Sequence, residues 1–181
     1  MRRVLFLFGE LTDGDVEWLG TASRLTKLSK GEILVAAGHR AEQLSILLDG
    51  ELSVVLPGEP PAELARLHPG EVVGELTFLD PRPALVSVTA TAPGLVLQVP
   101  HAAISVRIAR DPAFSARFYR GLGVFLASRL REMTGRFGVQ VAGMKFAQTE
   151  LEADELDEES MERTALAARR FEFLRVKLGL A

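Results

Sequence analysis

The 181 residues carry 21 Lys and Arg against 24 Asp and Glu, a formal net charge of −3, so the chain as a whole does not attract nucleic acid or an anionic membrane. Hydrophobic residues make up 48% and charged residues 25%, ordinary values for a globular protein. With no cysteine, a disulfide, a thiolate nucleophile and a zinc–sulfur site are excluded, and a cytoplasmic setting is expected.

MRRVLFLFGE joins two arginines to an apolar run, but Val4–Phe8 is too short for the core of a targeting signal. No stretch approaches the roughly 20 apolar residues of a membrane-spanning helix. Thr12, Asp13, Gly14 and Asp15 supply capping groups, which places the start of a short helix near Asp13. From about Leu25 to Val99 the texture changes to short Val-, Leu- and Ile-rich runs punctuated by glycine: EILVAA, LSILLDG, ELSVVL, ELARL, EVVGEL, LVSVTAT and LVLQV. Strands at this spacing imply a β-barrel or jelly roll. Leu52, Val54 and Leu56 share one strand face, and Val86, Val88 and Ala90 share another.

From Ile104 the period is helical, and Asp111-Pro112 offers a capping side chain followed by a first-turn proline. Tyr119, Leu122, Leu126, Leu130, Met133 and Phe137 form a stripe on a long helix, 111–138. Gly121 and Gly123 each cost that helix about 1 kcal/mol relative to alanine. Close approach of another backbone, such as a partner helix, would offset this; a stripe packed only on its own barrel is the other reading. Gly138–Ala147 reads as a hinge. The segment after it is acidic early and basic late, as a helix dipole favours, and gives a final helix, 156–178, with Ala167, Phe171, Leu174 and Leu178 on one face. The fold class is α+β: a β jelly-roll (double-stranded β-helix) barrel flanked by a short N-terminal helix and long C-terminal helices. The chain divides into 1–138, barrel plus long helix, and 139–181, hinge plus amphipathic helix.

Catalytic patterns are missing. His39, His68 and His101 sit near expected turns at wide spacing, whereas a metal-binding jelly roll wants two histidines in alternation on one strand; each reads as a solvated turn residue. There is no Gly-x-Ser-x-Gly elbow, phosphate-binding P-loop or HExxH. The chain reads as a non-enzyme without a metal.

Three stretches in order, LSKGEILVAAGHRAEQLSILLDGELSVVL, LHPGEVVGELTFLDPRPALVSVTA and the helix from Asp111, resemble the cyclic nucleotide-binding domain family of the catabolite activator and its relatives. The resemblance covers about Leu11 to Phe137. It implies a cyclic nucleotide (cAMP or cGMP) as ligand and a phosphate-binding cassette at Gly74–Ser87. Gly74 and Glu75 match the family's glycine and glutamate, which implies ribose contacts, with Leu76 beside them. A carboxylate tying down a turn is the other reading of Glu75.

The pattern departs at the arginine that balances the phosphate. Anchoring on Ser87-Val88-Thr89-Ala90 puts Pro83 on the family's proline, Ala84 on the arginine and Leu85 on a small residue. A charge-assisted bond of this type is worth about 1.5–3 kcal/mol, roughly ten- to hundred-fold in affinity. Arg82 either reaches back toward the phosphate or faces solvent in its turn. On the long helix, Thr134 falls near the position that meets the ligand's base.

The implied function is a regulatory sensor domain with weak or altered nucleotide binding. It would be a homodimer through helix 111–138 that signals through its C-terminal helices, with helix 156–178 open to a partner protein. Ala84 with Leu85 leaves a ligand-free interaction scaffold as the alternative. Most relatives with this layout add a winged helix-turn-helix. The roughly forty residues after Phe137 begin acidic, so DNA binding and transcription regulation are the least favoured reading.

Overall fold

The computed structural model describes residues 5–142 and 158–180. Two helices, α1 (Leu5–Glu10) and α2 (Asp13–Thr21), precede β1 (Arg24–Leu28), β2 (Ile33–Val35), β3 (Gln43–Asp49), β4 (Leu52–Leu56), β5 (Ala62–Leu67) and β6 (Val72–Val73). A short helix α3 (Glu75–Leu79) interrupts the strands before β7 (Ser87–Ala90) and β8 (Gly94–Pro100). Three helices follow: α4 (His101–Arg110), α5 (Pro112–Ala142) and α6 (Glu158–Lys177). Two four-stranded antiparallel sheets, ordered β1-β8-β3-β6 and β2-β7-β4-β5, make the jelly roll. The expected runs all became strands. β1, which lacks a run of aliphatics, forms by pairing along β8.

The centre of the first sheet is buried on both faces, and alternation sends its side chains into two different cores. Leu47, Val73 and Val96 point inward against Leu52, Leu67 and Val88 of the second sheet. Leu44, Ile46, Leu48, Leu97 and Val99 point outward beneath the helices, where they meet Phe114, Phe118, Leu122 and Phe125 of α5. On the second sheet, Leu52 and Val88 are buried while Leu56 lies exposed at the rim.

The capped start of α2 forms as expected: Thr12 accepts from the Asp15 N–H and the Asp15 carboxylate accepts from the Thr12 N–H. Asp15 is buried and also accepts from Arg117 at 2.8 Å and from Arg107 at 3.0 Å, tying α2 to α4 and α5. Burial works against its charge, but the bonds from Arg117 and Thr12 outweigh it and hold the carboxyl below its ordinary range.

α1 was not foreseen. Six residues do not make a stable helix alone; Leu7 and Phe8 are ordered by complete burial, with Phe8 edge-on to Phe171 of α6. α6 folds back on α1 and α2, burying Ala167, Phe171 and Leu174, and Arg170 reaches Asp13 and the Phe8 carbonyl. The Asp111 side chain accepts from the Phe114 N–H at 2.8 Å and caps α5. That helix runs through Gly138 to Ala142; residues 143–147 of the expected hinge lie outside the described residues.

The two expectations for α5 each divide. A Cβ on Gly121 would sit 2.9 Å from Leu7 Cδ1 and 3.2 Å from Leu7 Cα, so the close approach it permits is to α1 of the same chain; Gly123 faces open space. The apolar stripe also divides. Leu122 is buried and Leu126 packs on the core, whereas Tyr119, Leu130 and Met133 are exposed; the side chain of Phe137 lies outside the described ones. Among the described residues no helix is long and apolar enough to cross a membrane.

Candidate functional site

β6 ends at Val73 and the chain turns through Gly74, whose φ of 93° lies in the left-handed region. A Cβ there would collide with the Gln43 carbonyl oxygen, so only glycine fits. The Thr77 hydroxyl donates to the Gly74 carbonyl at 3.1 Å and to the Ala41 carbonyl at 3.2 Å, fixing α3 against the loop before β3. The chain then returns through Asp80–Val86 to β7. Ala84 is pinned on both sides: its N–H donates to the His39 carbonyl and its carbonyl accepts from the Gly38 N–H, each at 2.8 Å.

These elements and α5 enclose a cavity of about 340 Å³. The barrel contributes Val35, Val54, Leu67, Val73 and Val88, the cassette Gly74, Glu75, Leu76, Thr77 and Ala84, and α5 Leu126, Arg129, Leu130 and Met133. The polar groups gather at one end. Arg129 Nη1 donates to Glu75 Oε1 at 2.8 Å, and its Nη2 lies 3.6 Å from Glu71 Oε2. The guanidinium also covers the Phe125 ring at 4.8 Å. Both carboxylates are buried, at 3% side-chain exposure, and Arg129 is 29% exposed. Burial pushes the Glu75 carboxyl above its ordinary range; the charge and hydrogen bond of Arg129 pull it back in part, and Glu71 pushes it further up.

Of the eight residues singled out from the sequence, Gly74, Glu75, Leu76 and Ala84 lie on the cavity wall. Arg82, Pro83, Leu85 and Thr134 do not. The Arg82 side chain is 85% exposed and its Nε donates to Asp80 at 2.6 Å, so the solvent-facing reading holds. Leu85 is 82% exposed, because the bonds of Ala84 turn the next side chain outward. Thr134 donates to the Leu130 carbonyl of its own helix, and the neighbouring Met133 reaches the cavity instead.

Arg129 and Glu71 were not singled out. No local spacing announces the contact of Arg129 with Glu75, 54 residues away in sequence, or the one with Glu71. His101 is also corrected: it opens α4, half-buried, with its ring edge-on to Phe78 of α3 at 5.1 Å. Burial pulls its imidazole below the ordinary range. Among the described residues no cluster of three or more histidines or acids is placed to hold a metal ion.

Residues 25–111 match the family model described as "Cyclic nucleotide-binding domain". No curated protein matches the chain. Among solved structures, a cyclic nucleotide-binding domain from Methylobacillus flagellatus superposes with a TM-score of 0.70 at 19% identity, covering 78% of this chain and 84% of that one. The N-terminal domain of a transcriptional regulator from Streptomyces coelicolor gives 0.60 at 24% identity, covering 73% and 95%. The regulatory subunit of a cAMP-independent protein kinase A from Trypanosoma brucei gives 0.60 at 17%, covering 76% of this chain and 46% of that one. At these identities the likeness is one of fold.

Proposed function

Because residues 25–111 belong to the cyclic nucleotide-binding domain family, we propose that this chain is a regulatory sensor module whose cavity reads a small ligand and passes its occupancy to α5. One observation carries the reading: Arg129 of α5 holds the cassette carboxylate of Glu75 while Leu126, Leu130 and Met133 of the same helix wall the cavity. A ligand that engages Glu75 must share or displace that guanidinium, so binding and helix position are coupled through named atoms. A regulatory kinase subunit stands among the proteins of similar fold, in line with a signalling role.

Nucleotide binding is weak in this reading. Ala84 stands where the phosphate-pairing arginine is expected, its N–H is taken by His39, and Arg82 points away in its pair with Asp80. The module works as a homodimer through the exposed face of α5. Tyr119, Gly123, Leu130 and Met133 recur there near the seven-residue period of a two-helix seam, and a two-fold partner would cover them. The ion pair that already satisfies Glu75 favours a second reading, a ligand-free scaffold that presents its helices to a partner protein.

Titration calorimetry with cyclic AMP and cyclic GMP on wild type and Ala84→Arg decides between them. The substitution restores a bond worth about 1.5–3 kcal/mol, so affinity should rise ten- to hundred-fold over a weak wild type. A variant that folds and still binds neither nucleotide would remove nucleotide sensing and, for a cavity that takes no other ligand, leave the scaffold.

A further inference from the structure

The chemistry of the cavity wall departs from what a nucleotide phosphate requires. Among the described residues only one cation, Arg129, reaches the cavity, and two buried carboxylates already claim it. Arg129 is shared between two buried carboxylates, so a cyclic phosphate would enter surroundings that screen charge poorly without an unshared counter-charge among the described residues. Among the described residues no other charged side chain lines the wall. Val35, Val54, Leu67, Val73 and Val88 form the inner face, and Ala84 extends it where a guanidinium would otherwise enter. The rim continues the pattern: Leu76, Leu130 and Met133 line the cavity yet are 58%, 66% and 48% exposed. In the single chain these side chains face a void on the inside, and an apolar guest would cover that side while a two-fold partner covers the other.

We infer that this cavity takes an uncharged, predominantly apolar small molecule rather than a cyclic nucleotide. The inference rests on the sensor reading and specifies its ligand. The volume, about 340 Å³, lies at the lower end of the roughly 300–1,000 Å³ of sites that enclose such ligands. Recognition comes from the aliphatic wall. Thr77 spends its donor on two carbonyls and Glu75 is paired, so neither demands a charged group from the guest. A hydroxyl or amide on the guest would find the second oxygen of Glu75 as acceptor. An anion finds no unshared cation among the described residues of the wall.

The test uses the full chain and N-phenyl-1-naphthylamine, a neutral fluorophore that brightens in apolar surroundings, with cyclic AMP as competitor. Expected are saturable binding of the fluorophore, a negative heat-capacity change by calorimetry and no displacement by millimolar cyclic AMP. Ala65 of β5 also lines the wall, and Ala84→Phe and Ala65→Phe, which add rings to it, should each weaken the fluorophore about tenfold or more. Circular dichroism identifies a variant that fails to fold, and the other then carries the comparison. Micromolar displacement by cyclic AMP, or cyclic AMP binding without fluorophore binding, would overturn the inference while leaving the sensor reading intact. Fluorophore binding untouched by either ring would place it elsewhere on the protein and overturn the inference too. If wild type binds neither probe, the inference falls, and the sensor reading stands or falls on Ala84→Arg.

Discussion

Replacing Arg129 by methionine keeps an unbranched stem of similar length and removes the only counter-charge seen for Glu71 and Glu75 among the described residues, along with the guanidinium over Phe125. Breaking a buried ion pair typically costs 3–5 kcal/mol because a charge is stranded. Arg129 is 29% exposed and Glu75 can take up a proton, so the lower end applies, about 3 kcal/mol at neutral pH. The pH dependence has a fixed sign. The folded Glu75 carboxyl lies above its reference value of 4.5, so its neutral form suits the fold. Its contribution is complete below 4.5 and is lost as pH rises through the folded value. Without Arg129 the two influences that pull the carboxyl down disappear and the folded value climbs further. The loss on raising pH then becomes larger than in wild type. Urea unfolding followed by Trp18, the only tryptophan, should show a midpoint lowered by about 1–2 M near pH 7.5 and by clearly less near pH 5. Adding Glu75→Gln should return most of the loss at neutral pH. An equal shift at both pH values, or no rescue by glutamine, would show that Arg129 is not balancing an ionised Glu75.

Leu130→Glu puts a charge on the exposed face of α5 and should convert a dimer into monomers by light scattering with the circular dichroism unchanged; a wild type that is already monomeric rejects the dimer. Gly121→Ala drives a methyl to within 2.9 Å of Leu7 and should cost about 1–2 kcal/mol, overpacking outweighing the gain in helix propensity, seen as a melting temperature several degrees lower. A melting temperature that rises would show that α1 yields easily. Asp15→Asn should cost about 2–4 kcal/mol at neutral pH, because Arg107 and Arg117 lose a shared, buried carboxylate. The Asp15 carboxyl is held below its reference value of 3.8, so its contribution is present above that value and fades as pH falls through the folded one; the gap between variant and wild type should narrow below about pH 3.8.

The sequence by itself determined the elements whose signals are local. Glycine-bounded aliphatic runs became strands, and Thr12 and Asp111 capped the helices they precede. That Ala84 stands where the family's arginine is expected was legible only through the resemblance, anchored on Ser87–Ala90 a few residues on. Only the tertiary structure decided where one element meets a distant one. α1 exists because α5 and α6 bury Leu7 and Phe8, and Gly121 serves α1 although its helix looked made for a partner. The fate of Glu75 was undecided in the same way. A carboxylate beside a glycine reads equally as a ligand contact or as a brace, and its charge state depends on what burial costs and what Arg129 restores across 54 residues. Strand period and capping depend on neighbours along the chain, whereas ion pairing and desolvation depend on neighbours in space, which the fold alone assigns.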